Sequence, residues 1–583
     1  MITNKANSKT GYYSAASGKV LFAPRMALGM NLGKPGYYEP TQPFINLLYT
    51  GGISVVSGAP TLTTDGWYDC TSGGSAKIHF EQKTATVKDG VWILKWGNAT
   101  GTVSASVTGS NTTSTSSGRH EITVSGGAGL GFNVTYSGGL PSYMALIHSD
   151  DEALYDSGQI INPLFLADIE DYSVLRFLDW NEANNSPLYG DEYSAYYLKE
   201  SAPAWEAHDA IPSPGFPAAA IADCCNLSGA DCWVTVPHKL SYTSKVAMAQ
   251  DLFDHLDPSI NVYPETGNEN WNTAGVFRDC TSWFDYADAP TRDVTVDSLA
   301  SVNEVAHGMS TGDEVVTYTC IGGQGKYVYK QGYTLSVIVD DADNYRIARD
   351  ATAALAGEDV LTTPNAKGAW DTAKTRLLLK RKLDSSKSNA VNYAEACIET
   401  WDAFISVFGA SRVVQVATGW IYGSDDTTEK CTVAEFKDRC DLFAVGGYYN
   451  FGGMADYVNA TNAERSAFLR ANNSVASTKS HAPAFGRNII GIYEGSNHNT
   501  TSTDGSAEDL ALQDYARSAE HAQDLKWWLE EQAKVNCKLF CLFNSHSEYT
   551  NDGCWGLQEV VNEVNNQTQV IQDFIINGGV DNG

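Results

Sequence analysis

Eight short stretches of this chain are apolar on both faces, and most are followed by a helical pattern. They lie near residues 27, 174, 232, 260, 412, 442, 489 and 538, in segments such as SVLRFLDW, DCWVTVPH, INVYPETG, RVVQVATG, DLFAVGGYYN, NIIGIYEGS and KLFCLFNSH. Strands buried on both faces belong to parallel sheets covered by helices. Eight such units predict an α/β fold, a (β/α)8 TIM barrel. The competing architecture is a doubly wound open sheet. No GxGxxG or GxxxxGK[ST] motif follows any of the strands, so nothing points to a nucleotide site.

Two β-rich islands interrupt the rhythm. Segments such as GVWILKW, HEITVS and GFNVTYS alternate apolar and polar residues between Gly, Ser, Thr and Asn, which predicts an inserted β-sandwich after strand 1. A second, small inserted β-domain follows strand 4, with tight turns at Gly308 and Gly312. The expected organisation is an N-terminal arm at 1–24, a barrel made of 25–50, 146–291 and 363–583, a sandwich at 51–145 and a β insertion at 292–362. Helices are expected at about 387–407 and 507–535. At 583 residues the chain is too long for one compact core, which fits this division.

Charge narrows the partners. With 39 basic and 69 acidic residues the formal net charge is −30. A nucleic-acid partner needs a basic surface, so none is expected. Anionic membranes and polyanionic substrates are disfavoured for the same reason, and a neutral substrate fits best. No run of about 18 apolar residues predicts a membrane span. The N-terminal stretch MITNKANSKTGYYSAASGKV lacks the apolar core of a signal peptide. Twelve cysteines include no CxxC pair and no Cys/His spacing suited to zinc, so neither a metal nor another cofactor is expected. Cys397, Cys537 and Cys541 read as small buried hydrophobes, whereas Cys431 with Cys440, or Cys224 with Cys232, is spaced for pairing in an oxidising setting.

Barrel enzymes carry their chemistry at the C-terminal ends of the strands. Here those ends hold Arg176, Asp179 and Trp180 on strand 2, Pro237-His238 on strand 3 and Asn268-Glu269 on strand 4, with Trp271 and Asn272 just beyond. Tyr448, Tyr449 and Asn450 end strand 6, Tyr493-Glu494 ends strand 7, and Trp555 follows strand 8. A glutamic acid can protonate a glycosidic oxygen, an asparagine can hold a ring hydroxyl and a tryptophan can cover a sugar face. Carboxylates on strands 4 and 7 stand across the barrel mouth, compatible with the separation of about 5–5.5 Å used by retaining glycosidases. One must stay ionised, for which a cation such as Arg176 is useful, and the other must hold its proton. Tyr448 and Tyr449 point opposite ways on a strand, and Tyr448 is the one expected to enter the site. His498 is a further subsite candidate. Glu265 and Asp179 are expected to be structural. Trp180, Trp205, Trp283 and Trp420 suit either a groove or the core.

The ordered set of Arg176, His238, Asn268-Glu269, Tyr448, Glu494 and Trp555 resembles glycoside hydrolase clan A, most nearly its cellulase-like family 5 pattern. More narrowly, GMNLG, LRFLDW, WVTVPH, YPETGNENWN, IYEGS and GCWGL resemble a cellulase-like group whose barrel is interrupted after strand 1 by a β-sandwich. The resemblance covers about 25–50 and 160–583, outside the second island. It implies a retaining endo-β-glycanase acting on a neutral β-linked polysaccharide or oligosaccharide. It further implies that Glu269 is the acid/base, Glu494 the nucleophile and Asn268 the partner of the sugar 2-hydroxyl. Arg176 and Tyr448 would position Glu494, His238 would line the adjacent subsite and Trp555 would lie under the sugar. Asn270 departs from the group, which more often has an apolar residue there. The second island looks like the small β modules of phage tail and adhesin proteins, which with the missing signal peptide suggests a viral or virion-linked origin. Two other functions are compatible with these residues: a carbohydrate-binding adhesin on a decayed barrel, and a transglycosylase.

Overall fold

The computed structural model describes residues 26–576 apart from 34, 36–41, 64–65, 82–87, 98–101, 108–112, 117, 125–130, 182, 185–188, 192, 194–206, 209–214, 297–300, 322–332, 358–374 and 561. The expected arm at 1–24 and Trp205 lie outside the described residues.

Eight parallel strands form the centre: β1 (Ala27–Asn31), β2 (Val174–Arg176), β3 (Asp231–Val236), β4 (Val262–Thr266), β5 (Val416–Gly419), β6 (Leu442–Gly446), β7 (Ile490–Gly495) and β8 (Leu539–Leu542). They hydrogen-bond in the order β4-β3-β2-β1-β8-β7-β6-β5. The ring closes just ahead of β5. The Val262 amide donates to the Arg412 carbonyl at 2.8 Å, and the Val414 amide donates to the Val262 carbonyl at 2.8 Å. The sheet is therefore a closed barrel, not the open doubly wound alternative, and each strand falls where its both-face apolar pattern placed it.

Side chains alternate across each strand, so every second residue enters the lumen. Ala27, Val174, Trp233, Tyr263, Val416, Leu442, Ala444, Tyr493, Leu539 and Cys541 form one buried cluster there. Trp233 and Tyr263 stack with ring centroids 5.7 Å apart. Further along the same inward faces, four residues on in β1 and two in β2 and β4, stand Asn31, Arg176 and Glu265. The lumen thus changes from apolar to polar towards the C-terminal ends of the strands.

Helices cover the outside, and a serine starts several of them. The helix Tyr242–His255 follows β3 with Ser241 accepting from the Ser244 amide, and Asn389–Phe408 precedes β5 with Ser388 accepting from the Val391 amide. The long helix expected at 507–535 is two, Ala507–Ala516 and Ala519–Lys534. The physical reason is a cap: the Ser518 side chain accepts the His521 amide and so restarts the helix.

Between β1 and β2, strands from Gly52 to His148 form two larger sheets and a two-stranded ribbon, and Ala207–His208, after β2, joins the edge of the first sheet. Both larger sheets contribute to one core, Ile53, Ile78 and Val134 from the first facing Trp92, Leu94 and Ile122 from the second. The insertion after β4 is a closed six-stranded antiparallel barrel. It extends beyond the expected boundary at 362. Its last strand, Thr375–Arg381, pairs on one side with Thr291–Val296 and on the other with Glu314–Ile321, so TRLLLKR closes this barrel and does not belong to the larger one. Eleven cysteines are free thiols among the described residues, including Cys431, Cys440, Cys224 and Cys232 outside any disulfide. Among the described residues no helix is long and apolar enough to cross a membrane.

Gly29 shows how tightly the lumen is filled. A Cβ there would lie 2.5 Å from the Cys541 sulfur and 3.1 Å from the Val174 carbonyl oxygen. Gly29→Ala is expected to lower stability by roughly 1–3 kcal/mol through overpacking. Urea unfolding checks this as a lower midpoint with unchanged slope.

Candidate active site

Arg176 stands at the end of β2 with its side chain fully buried. A guanidinium has five N–H donors, and here all five are used. Nε donates to Glu265 at 2.8 Å, and Nη2 donates to Glu265 at 3.0 Å and to the Asn268 side-chain oxygen at 2.9 Å. Nη1 donates to the Asn31 side-chain oxygen at 2.8 Å and to Glu494 at 3.1 Å. The guanidinium also packs against the Tyr493 and Trp233 rings, 4.9 and 5.7 Å from their centroids. Burial alone would discharge this group, but Glu265 and Glu494 outweigh it and hold the arginine charged.

Each partner is fixed in turn. Glu265 accepts from Trp233 Nε1 at 2.8 Å and Thr235 Oγ1 at 3.2 Å besides Arg176. Its acceptor sites are occupied within the barrel wall, in keeping with a structural role. Asn31 donates to the Tyr493 and Leu542 carbonyls at 2.9 and 3.1 Å, tying β1 to β7 and β8. Asn268 donates to the Asn184 side chain at 2.9 Å.

Glu269 reaches the same centre through an unusual turn. Gly267 has φ +61° and Glu269 itself has φ +47°, a left-handed conformation that costs a non-glycine residue about 1 kcal/mol or more. A Cβ on Gly267 would lie 2.6 Å from the Cys280 sulfur. The turn is tied by the Asn272 amide donating to the Glu269 carbonyl at 2.9 Å. The Glu269 carboxylate accepts from Asn272 Nδ2 at 2.7 Å and from the Tyr493 hydroxyl at 3.5 Å.

Glu269 and Glu494 face each other closely enough to interact directly. Burial first, and then the facing Glu269 charge, push the Glu494 carboxyl well above the usual range, against the pull of Arg176. Three buried carboxylates, Glu265, Glu269 and Glu494, share one cation. Burial and the facing charge therefore favour the protonated form of Glu494.

Aromatic side chains flank the pair. On the β6–β8 side, Tyr448 lies beside Glu494, and its hydroxyl is kept protonated by burial and by the two glutamates. Its ring is 4.9 Å from His498, which stacks on Trp555 at 6.0 Å and 18°. Tyr449 turns the other way, bonding His521 at 2.9 Å and packing on Trp528. Trp271 stacks on Trp420 on the β4–β5 side.

The structure thus brings together Glu269, Glu494, Asn268, Arg176, Tyr448, His498, Trp555 and Trp271 at one end of the barrel. His238 is the exception. Its fully buried side chain pairs with Asp279 at 3.2 Å and packs on Trp283 and Phe284. In this arrangement the side chain is taken up by the ion pair and the ring contacts. Trp180 is also core, donating to the Gly33 carbonyl at 3.0 Å. Asn270 is buried against Asn389 on the helix that precedes β5. Sequence reasoning missed Asn31, and named Tyr493 and Asn272 at the strand ends without giving them a role. The first two occupy inward strand positions at the polar end of the lumen, and that placement was the available signal.

No protein-family model and no curated protein sequence matches the chain. Among solved structures, a ruminal GH26 endo-β-1,4-mannanase is similar at a TM-score of 0.26 and 11% identity, with 90% of this chain and 95% of that one covered. The catalytic domain of a Bacillus sp. JAMB-750 GH26 endo-β-1,4-mannanase is similar at 0.24 and 10%, covering 69% and 76%. Likeness of this degree carries no argument, and the fold and site rest on the strands and residues described above.

The raised Glu494 sets a pH dependence. A carboxyl that binds its proton more tightly when folded adds stability below its unfolded value, and that stability is lost as pH rises through the folded value. Glu494→Gln is therefore expected to melt above the parent protein at pH 7. The gain should shrink on acidification and vanish below the ordinary glutamate value of about 4.5. Thermal melts between pH 4 and 8 measure it.

Proposed function

We propose that the protein is a retaining glycoside hydrolase acting on a neutral β-linked polysaccharide or oligosaccharide. The observation that carries this reading is the close Glu269–Glu494 pair with Arg176 bonded to Glu494 alone. An inverting enzyme keeps its carboxyl groups about 6.5–9.5 Å apart to admit a water between. A pair close enough to share a proton favours the retaining arrangement instead.

In the first step Glu494 attacks the anomeric carbon. A carbon–oxygen ester bond forms, the glycosidic bond breaks, and Glu269 gives its proton to the departing oxygen. In the second, Glu269 takes a proton from water as its oxygen attacks the same carbon, and Glu494 leaves as carboxylate. Arg176 aims the nucleophile and pulls it toward the ionised form against burial. Asn268, oriented by Arg176 and Asn184, holds the 2-hydroxyl, and Trp555 lies under the sugar. Substrate neutrality follows from the net charge of −30, which repels polyanions.

The test is a panel of β-glucans, mannans and xylans. Glu494→Ala and Glu269→Ala are each expected to lower kcat/KM at least 100-fold on whichever substrate the parent protein cleaves. A mechanism-based 2-deoxy-2-fluoro glycoside of that sugar should leave one sugar esterified to Glu494, visible by peptide mass spectrometry. Full activity in both variants, or label on another residue, overturns the assignment.

A further inference from the structure

Among the described residues Trp420 is the one exposed tryptophan, and it stacks on Trp271, two residues from Glu269. It directly follows β5, whose start is hydrogen-bonded to β4. Its indole stacks on Trp271 with centroids 5.8 Å apart and planes 21° from parallel. Trp271 in turn lies two residues beyond Glu269, in the turn where Asn272 donates to the Glu269 carboxylate. Tyr422 meets Trp420 edge-on at 5.5 Å. Trp420 is 45% exposed and Tyr422 59% exposed.

These rings are held in place. Ile421, between them, is buried, and its carbonyl accepts from His481 Nε2 at 3.0 Å. The Gly423 amide donates to the Trp420 carbonyl at 2.9 Å and closes the turn. The alternation out, in, out presents two large apolar rings to solvent on an anchored loop. A flat indole backed by a second indole offers an apolar face of the kind that covers the C–H face of a pyranose ring. Nothing in the packing of the barrel requires these rings to be outside.

Their side of the site gives them a role. Glu269, on β4, is the group that protonates the leaving oxygen, while Trp555 lies across the mouth after β8. We infer that Trp420 and Tyr422, backed by Trp271, form the platform for the neutral sugar on the leaving-group side of the cleaved bond. This rests on the hydrolase reading for its direction but not for its existence. A chain gripped at Trp555 and at Trp420 is held on both sides of the bond that breaks, so the platform makes the enzyme select substrates that extend past it.

Trp420→Ala and Tyr422→Ala remove exposed rings, so both proteins should fold. Oligosaccharides of increasing length from the preferred polymer are assayed for kcat/KM, with Tyr143→Ala, an exposed aromatic on the first insertion, as control. For Trp420→Ala the expected result is a loss of about ten-fold on substrates long enough to reach the platform, a smaller loss on shorter ones, and products cut at altered positions. An unchanged length dependence, or an equal loss in the Tyr143→Ala control, overturns the proposal. A second arm titrates the same oligosaccharides by intrinsic fluorescence, with and without Trp420→Ala. Binding weakened about ten-fold without turnover in the parent protein keeps the platform and removes the hydrolase reading. Binding unaffected by the substitution, or absent in the parent protein, removes the platform.

Discussion

A single buried guanidinium organises this molecule. Arg176 spends its five donors on Glu265, Asn31, Asn268 and Glu494, residues that lie on or directly after β4, β1 and β7. A charge with no exposure to water is tolerated only when every donor is matched. The strands that supply the acceptors are thereby held in one register at the barrel mouth. The demand that stabilises the upper lumen is the same demand that aims a carboxylate. Breaking one arm would leave both a buried charge and a misplaced glutamate.

The eight strands were legible because each is apolar on both faces over several residues, a pattern that few other environments produce. Glu269, Glu494 and Arg176 were legible because strand ends are countable once strands are known. What stayed hidden depends on contacts far apart in sequence. Nothing in GMNLG says that Asn31 reaches Arg176, 145 positions away. The break at Arg517-Ser518 was lost inside a continuous amphipathic pattern, since only the cap geometry of Ser518 interrupts it. TRLLLKR reads equally well as a strand of either barrel, and only its pairing with Thr291–Val296 decides.

His238 lies where the small inserted barrel meets the larger one. The small barrel docks through Tyr318, whose hydroxyl donates to the Ser282 carbonyl at 2.8 Å and whose ring packs on Trp283. Lys380, from the strand that closes the small barrel, donates to the carbonyls of Tyr286, Ala287 and Ala289 and lies 4.2 Å above Trp283. Those three carbonyls use all the donors of an ammonium group. His238 packs edge-on against this same tryptophan and pairs with Asp279, whose carboxyl Lys239 and His238 hold down at about 2 despite burial. A histidine at the end of β3 has thus become part of the foundation on which the insertion stands.

The consequence reaches the cleft itself. Asp279 and Trp283 belong to the helix Arg278–Asp285, which begins nine residues after Glu269 and packs beneath its turn. Thr281 of that helix donates to the Asn272 carbonyl at 2.6 Å, and Asn272 carries the carboxylate of Glu269. A continuous path of packed and hydrogen-bonded groups therefore joins the small barrel, through Trp283 and Thr281, to Asn272 and the left-handed turn at Glu269. The insertion is attached to the element that sets the position of the proposed acid, on the side of the site where Trp271 and Trp420 lie. Asn270 lies inside that same turn. Asn270 reaches Asn389 at the start of the helix that resumes the barrel after the insertion. A polar residue there is what a turn needs when the helix beside it opens with a half-buried amide side chain and not an apolar wall.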